Sequence, residues 1–173
     1  MDKGFTLIEL IVSMLIIAIL STILFMGRGA SEKRLYLQIA AFTLSQDLRE
    51  AQEIAMGAGE ISCGATKTFV AGVHFDQTLP IGSYLLFADC NGNKKWQSSD
   101  VSIRQVSLNK DVQVCSVSPV QSGLDVMFAP PEPLVYFNGA LATGEAVITL
   151  CLKSQPSTQT QVKVNSSGRI TIE

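Results

Sequence analysis

The run FTLIELIVSMLIIAILSTILFM, residues 5–26, holds 22 residues and a single charge, Glu9. An apolar stretch of that length is expected to cross a bilayer as a helix. A lone carboxylate inside such a span is costly and needs a partner, yet the run contains no cation. The flanks do not settle its direction. Lys3 precedes it, and Arg28, Lys33 and Arg34 follow it, which by the positive-inside rule puts the larger part of the chain in the cytoplasm.

A secretory signal would be removed after the apolar region, at a small-x-small site. The residues after this run are GRGAS, with Arg28 where a small residue is wanted if the cut followed Ala30. The small residue stands before the run instead, at Gly4. The span is therefore expected to be retained.

Gly27 and Gly29 weaken helix just after the run, by roughly 1 kcal/mol each relative to Ala. Ser31 is a candidate cap for a restart. From there Leu37, Ala41, Leu44, Leu48, Ala51 and Ala55 recur at alternating spacings of four and three. That is an apolar stripe along one helical face. Glu32, Lys33, Gln46, Asp47, Arg49, Glu50 and Glu53 fall opposite and read as the solvent side. Gly57 and Gly59 end the pattern.

Everything beyond reads as β-structure. TFVAGVHF, SYLLFADC, VSIRQVSL, VQVCSV, LDVMFA, LVYF, AVITLCL, QVKVN and RITIE are short β-branched or aromatic runs separated by turn signals such as NGN, NKD and NSSG. The expected class is α+β: a long N-terminal helix, transmembrane in its first half and amphipathic in its second, packed on an antiparallel β-sheet or small β-sandwich.

Charge argues against a strongly nucleic-acid-binding domain. From Gly57 onward there are 8 Lys and Arg against 9 Asp and Glu, so no basic face follows from the total. All four cysteines, Cys63, Cys90, Cys115 and Cys151, lie in the β part, and none forms a C-x-x-C pair. One or two disulfides in an oxidising compartment fit this usage better than a zinc site. Three complete pairings are open. The disulfide reading opposes the orientation that the flanking charges suggest.

The start KGFTLIEL resembles that of the class III prepilins, the type IV pilins and the pseudopilins of type II secretion. The resemblance covers Gly4 to Leu10: a cut site, a Phe, a Glu at the fifth position after the cut, and an unbroken apolar run. It implies that residues 1–4 are a leader removed by a prepilin peptidase between Gly4 and Phe5, and that Phe5 is then N-methylated. It implies an inner-membrane, single-pass protein held by residues 5–26 (helix 5–30), with an amphipathic helix at 31–58 and an extracytoplasmic β domain at 59–173. It also implies other pilins or pseudopilins as partners, with Glu9 as the assembly charge that meets the Phe5 ammonium of a neighbouring subunit. Further along, SYLLFADCNGNKKWQSSDVSIRQVSL and NSSGRITIE resemble the H-type minor pseudopilins and related minor pilins, with their strand, F-x-D-x-N-G turn, charged loop and closing G-R-[IV] strand.

Candidates for chemistry are few. His74 is the single histidine, in the strand GVHF, and there is no G-x-S-x-G, P-loop or dinucleotide fingerprint. The chain reads as a non-enzyme without cofactors. DCNGNKKWQSSD places Asp89, Asn91, Asn93 and Asp100 at positions one, three, five and twelve of a calcium-loop pattern. It lacks the Gly at six and the Glu at twelve, so an Asn-Gly hairpin turn is the favoured reading and calcium the alternative. PPEP at 130–133 reads as a strand break or edge device, with a short polyproline ligand as the alternative. Lys94, Lys95 and Trp96 form a small basic–aromatic tip, a candidate contact for DNA or for another subunit. The alternatives to a filament subunit are thus a DNA-binding minor pilin for transformation and a membrane-tethered binding domain unrelated to pili.

Overall fold

The computed structural model describes residues 6–173 except 27, 77, 78, 80, 121, 122, 132 and 133; side chains at 24–30 and 58 are also outside the description. Gly4, Phe5 and half of the 130–133 segment therefore lie outside the described residues. The chain divides into two compact units, one ending at Leu35 and the other running Tyr36–Glu173.

Helix α1 is Leu7–Met26 and helix α2 is Arg28–Glu53, followed by one wider turn, Ile54–Ala58. Gly57 stops the helix at φ +85°, a left-handed conformation that glycine adopts without a Cβ penalty. Apart from Glu9, Ser13, Ser21 and Thr22, the described side chains of α1 are apolar, and nearly all are exposed. Two hydroxyls in it turn back on the helix: Ser13 Oγ donates to the Glu9 carbonyl at 2.7 Å and Thr22 Oγ1 to Ala18 at 2.9 Å. Among the described residues no helix is long and apolar enough to cross a membrane. The described side chains of α1 end at Ile23, whereas the apolar run of the sequence continues to Met26.

The second unit packs the part of α2 from Tyr36 onward with antiparallel sheets, and the chain has the α+β class expected. Strands β1 (Ile61–Cys63) and β2 (Thr66–Thr68) form a small hairpin. Strands β3 (Ala71–Asp76), β4 (Ser83–Ala88), β5 (Val101–Ser107), β7 (Gly123–Ala129), β8 (Leu134–Phe137) and β9 (Ala140–Leu141) make a six-stranded sheet in the order β5-β4-β3-β7-β8-β9. Strands β6 (Val112–Ser118), β10 (Glu145–Leu152), β11 (Gln155–Asn165) and β12 (Ile170–Ile172) make a four-stranded sheet in the order β12-β11-β10-β6.

The expected stripe of α2 is the helix's contribution to the core. Leu37, Ala41, Leu44, Leu48, Ala51 and Ala55 are buried, joined by Ala40. They share one apolar cluster with Val73, Leu86 and Phe128 of the larger sheet and Ile148, Leu150 and Val162 of the smaller. Small residues alternating with Leu let the helix approach the sheet closely. The opposite face departs from the expectation at one position: Asp47 is only 5% exposed.

The far face of the six-stranded sheet carries its own small cluster. Register pairs Gly72 with Phe87 and Met127, and His74 with Leu85 and Asp125, so these side chains share a face. Leu85, Phe87 and Met127 are buried there, apart from the main core. A Cβ at Gly72 would run into the Val126 carbonyl and Met127, which explains a glycine in mid-strand. Strand β4, beside the edge strand β5, is consequently buried on both faces.

Candidate functional site

At the start of α1, Thr6 precedes the first helical residue, and Glu9 is three residues on. The Glu9 N–H lies 3.1 Å from the Thr6 carbonyl and 3.4 Å from Thr6 Oγ1. Thr-x-x-Glu is the sequence form of a capping box, and the hydroxyl satisfies one of the first orphan amides. Sequence reasoning singled out Glu9 but missed Thr6, although the four-residue signature stood in the motif. Glu9 is exposed in the first turn, where the helix dipole favours an anion. Its site partners Gly4 and Phe5 lie outside the described residues.

On α2, Asp47 holds the helix to the sheet. Tyr84 of β4 donates its hydroxyl to Asp47 Oδ2 at 2.5 Å, and Arg104 of β5 donates to Asp47 Oδ1 and to Glu50 Oε2, each at 2.7 Å. Burial, and then the hydrogen bond to Asp47, push the Tyr84 phenol far above its usual range. The bond to Glu50 is the main cause that raises Arg104. Further along the helix, Gln52 Nε2 donates to the Gly168 carbonyl at 3.2 Å, which ties the closing turn to α2. The solvent side of α2 is not wholly polar: Leu35, Ile39 and Phe42 stand exposed at spacings of four and three.

The cysteines form two bridges, Cys63–Cys90 and Cys115–Cys151, with Cα separations of 5.5 and 5.9 Å, inside the range a disulfide needs. The first ties the β1–β2 hairpin to the end of β4. The second crosses between neighbouring strands β6 and β10, where a register shift between Thr149 and Leu150 leaves Cys115 unpaired opposite them.

Residues 89–100 close on themselves. Asp89 Oδ1 accepts the N–H groups of Asn91 at 3.1 Å and Gly92 at 2.7 Å, and Oδ2 accepts that of Lys94 at 2.7 Å. Asp100 accepts from the Cys90 and Gln97 amides at 3.1 and 2.8 Å. Asn91 and Asn93 each accept the amide two residues on. All four calcium-pattern side chains thus act on backbone N–H groups as turn-forming acceptors. Among the described residues no group of three or more His, Cys, Asp or Glu is placed to hold a metal ion.

The basic–aromatic tip folds back on the sheet. The Trp96 ring lies 5.2 Å from Phe87 and 5.9 Å from His74, and Lys94 Nζ sits 5.1 Å over Tyr136. His74 Nδ1 is 2.6 Å from Asp125 Oδ1, and Asp125 Oδ2 accepts the Trp96 amide at 3.1 Å. The lone histidine is therefore tied into a structural pair beneath the loop.

Residues 1–25 match the family model described as the prokaryotic N-terminal methylation motif. No curated protein and no solved structure matches the chain. The matched segment contains Gly4, Phe5, Thr6 and Glu9 together. It supports a type IV prepilin-like family and points to a structural, pilin-type protein.

Proposed function

We propose that this chain is a minor pilin or pseudopilin, a structural subunit that primes or joins a type IV pilus or a type II secretion pseudopilus. The observation that carries this reading is the start of α1. A capped helix end, an anion in its first turn and an exposed apolar surface lie within the matched methylation motif.

Prepilin peptidase cuts between Gly4 and Phe5, and the new amine at Phe5 is methylated. The mature helix inserts through residues 5–26 in the inner membrane, with the β domain outside the cytoplasm. The two disulfides favour that side over the one the flanking charges suggest. An isolated Glu9 in an apolar bundle is costly; the Phe5 ammonium of a neighbouring subunit relieves it. Such a pair fixes register and partner choice more than it adds stability. On α2, exposed Ile39 and Phe42 offer apolar surface of their own to neighbouring subunits.

The finer reading is the H-type minor class. Phe87, Asp89, Asn91 and Gly92 supply the turn, with β5 after the loop and a closing strand that begins after Gly168 and Arg169. A DNA-binding role is disfavoured, since Lys94 and Trp96 of the tip are both engaged on the sheet.

The test compares Glu9→Val and Gly4→Val beside the wild type. Glu9→Val is expected at normal membrane level and normally cut, but depleted from filaments and from cross-links to other pilins. Gly4→Val is expected as an uncut precursor held in the membrane. Wild-type recovery of Glu9→Val in filaments would contradict the charge-pair account.

A further inference from the structure

Most of the polar bonds of the 89–100 loop are internal, from its own amides to Asp89, Asn91, Asn93 and Asp100. Its two ends are held together, because Asp100 accepts the Cys90 amide and Ala88 pairs with Val101 at the ends of β4 and β5. A compact loop with close ends that is packed by its own side chains keeps its form when it moves. At its base the loop is held by the Cys90–Cys63 bridge and by the Asp89 amide on the Val70 carbonyl at 2.9 Å. Beyond the base its attachment is narrower: the Trp96 amide on Asp125, the Trp96 ring on Phe87 and His74, Lys94 over Tyr136, and Asn93 and Lys95 beside Gly139. With Val70, Leu79 and Tyr136, its Trp96 covers the small cluster of Leu85, Phe87 and Met127, which is distinct from the main core under α2.

We propose that residues 89–100 form a cap that opens from the six-stranded sheet as one unit, latched by Asp125, and that His74 is the positioning residue that aims Asp125 at the Trp96 amide. His74 and Asp125 face each other across β3 and β7 in register, so the imidazole is fixed by the sheet. Its Nδ1–H holds Oδ1 and leaves Oδ2 turned toward the loop. When the cap lifts, Leu85, Phe87 and Met127 become exposed, and the far face of the sheet changes from covered to apolar. Such sub-global opening is the behaviour of a segment with few contacts to its scaffold.

Hydrogen exchange of the full chain in detergent micelles tests this. In the wild type, the Trp96 amide is expected to exchange through an opening that leaves the Lys94 amide, bonded inside the cap to Asp89, and the amides of β10 and β11 protected. His74→Phe keeps a ring but removes the donor; Trp96 exchange should quicken roughly tenfold while β10 and β11 stay unchanged. His74→Asn keeps a donor near the Nδ1 position and should restore near-wild-type exchange. Acrylamide quenching of Trp96, the single tryptophan, should follow the same order. Wild-type exchange of Trp96 only together with β10 and β11 would overturn the cap, a result that needs no variant to fold. Equal exchange in His74→Phe and wild type would overturn the latch.

Discussion

Asp47 shows how one residue can escape a helical pattern. By spacing it belongs with Gln46 and Arg49 on the solvent side, and both of those are exposed. It is held in by Tyr84, 37 positions away in sequence, whose buried hydroxyl donates to it. A periodicity argument contains no information about a partner that distant. Asp47→Ala leaves that buried hydroxyl without its acceptor and is expected to lower unfolding free energy by about 1–3 kcal/mol, read by urea denaturation. The same pair makes a pH prediction. The phenol of an unfolded chain ionises near pH 10, while folded Tyr84 stays protonated well above that. Above pH 10 the native state therefore binds the extra proton. Its contribution is fully present below about pH 10 and is lost as pH rises, at about 1.4 kcal/mol per pH unit. Tyr84→Phe should make the alkaline fall in stability shallower by that amount. An unchanged slope would mean that Tyr84 ionises in the folded state as it does in the unfolded chain.

At the scale of elements, the α2 stripe and nine strand runs were legible because alternation and spacing report which face is buried. Three pieces were not. Strands β1 and β2 are three residues each, and Ile61–Cys63 and Thr66–Thr68 are too short and polar to alternate. Strand β9 has two residues and exists because Leu141 faces Tyr136 across a tight Asn138–Gly139 turn. The first half of β11, QPSTQT, reads as a turn by composition, but pairing with β10 imposes strand geometry on it; a register shift after Cys151 absorbs the segment that holds Pro156. Cysteine pairing was open for a related reason. Cys115 and Cys151 meet only because β6 lies beside β10, which is a fact of topology. Two faces of α2 should respond differently to truncation. Leu44→Ala, in the core, is expected to cost about 2–5 kcal/mol. Ile39→Ala and Phe42→Ala, both exposed, are expected to stay within about 0.5 kcal/mol in denaturation yet to reduce recovery in filaments. Equal effects of core and surface truncation on stability would contradict the assignment of faces.

For the whole molecule, the N-terminal motif was the most legible part, since its residues are contiguous. The calcium-like spacing was legible as a turn, and its hydrogen bonds show the side chains acting on backbone amides. The loop's grip on the sheet through Asp125 was hidden, because Asp125 lies 29 positions from Trp96. With the disulfides formed, a fragment from Ser31 to Glu173 is expected to be a soluble folded monomer, since it omits the apolar run and keeps both bridges. Sedimentation under oxidising conditions checks this, and aggregation there would count against it. The central claim, that the chain is a processed pilin-type subunit, is tested most directly by the N-terminal residue of the protein recovered from its native membrane. Intact mass and N-terminal sequencing are expected to show a chain that begins at N-methylated Phe5, with residues 1–4 gone. A mature protein that still begins upstream of Gly4 would contradict the account.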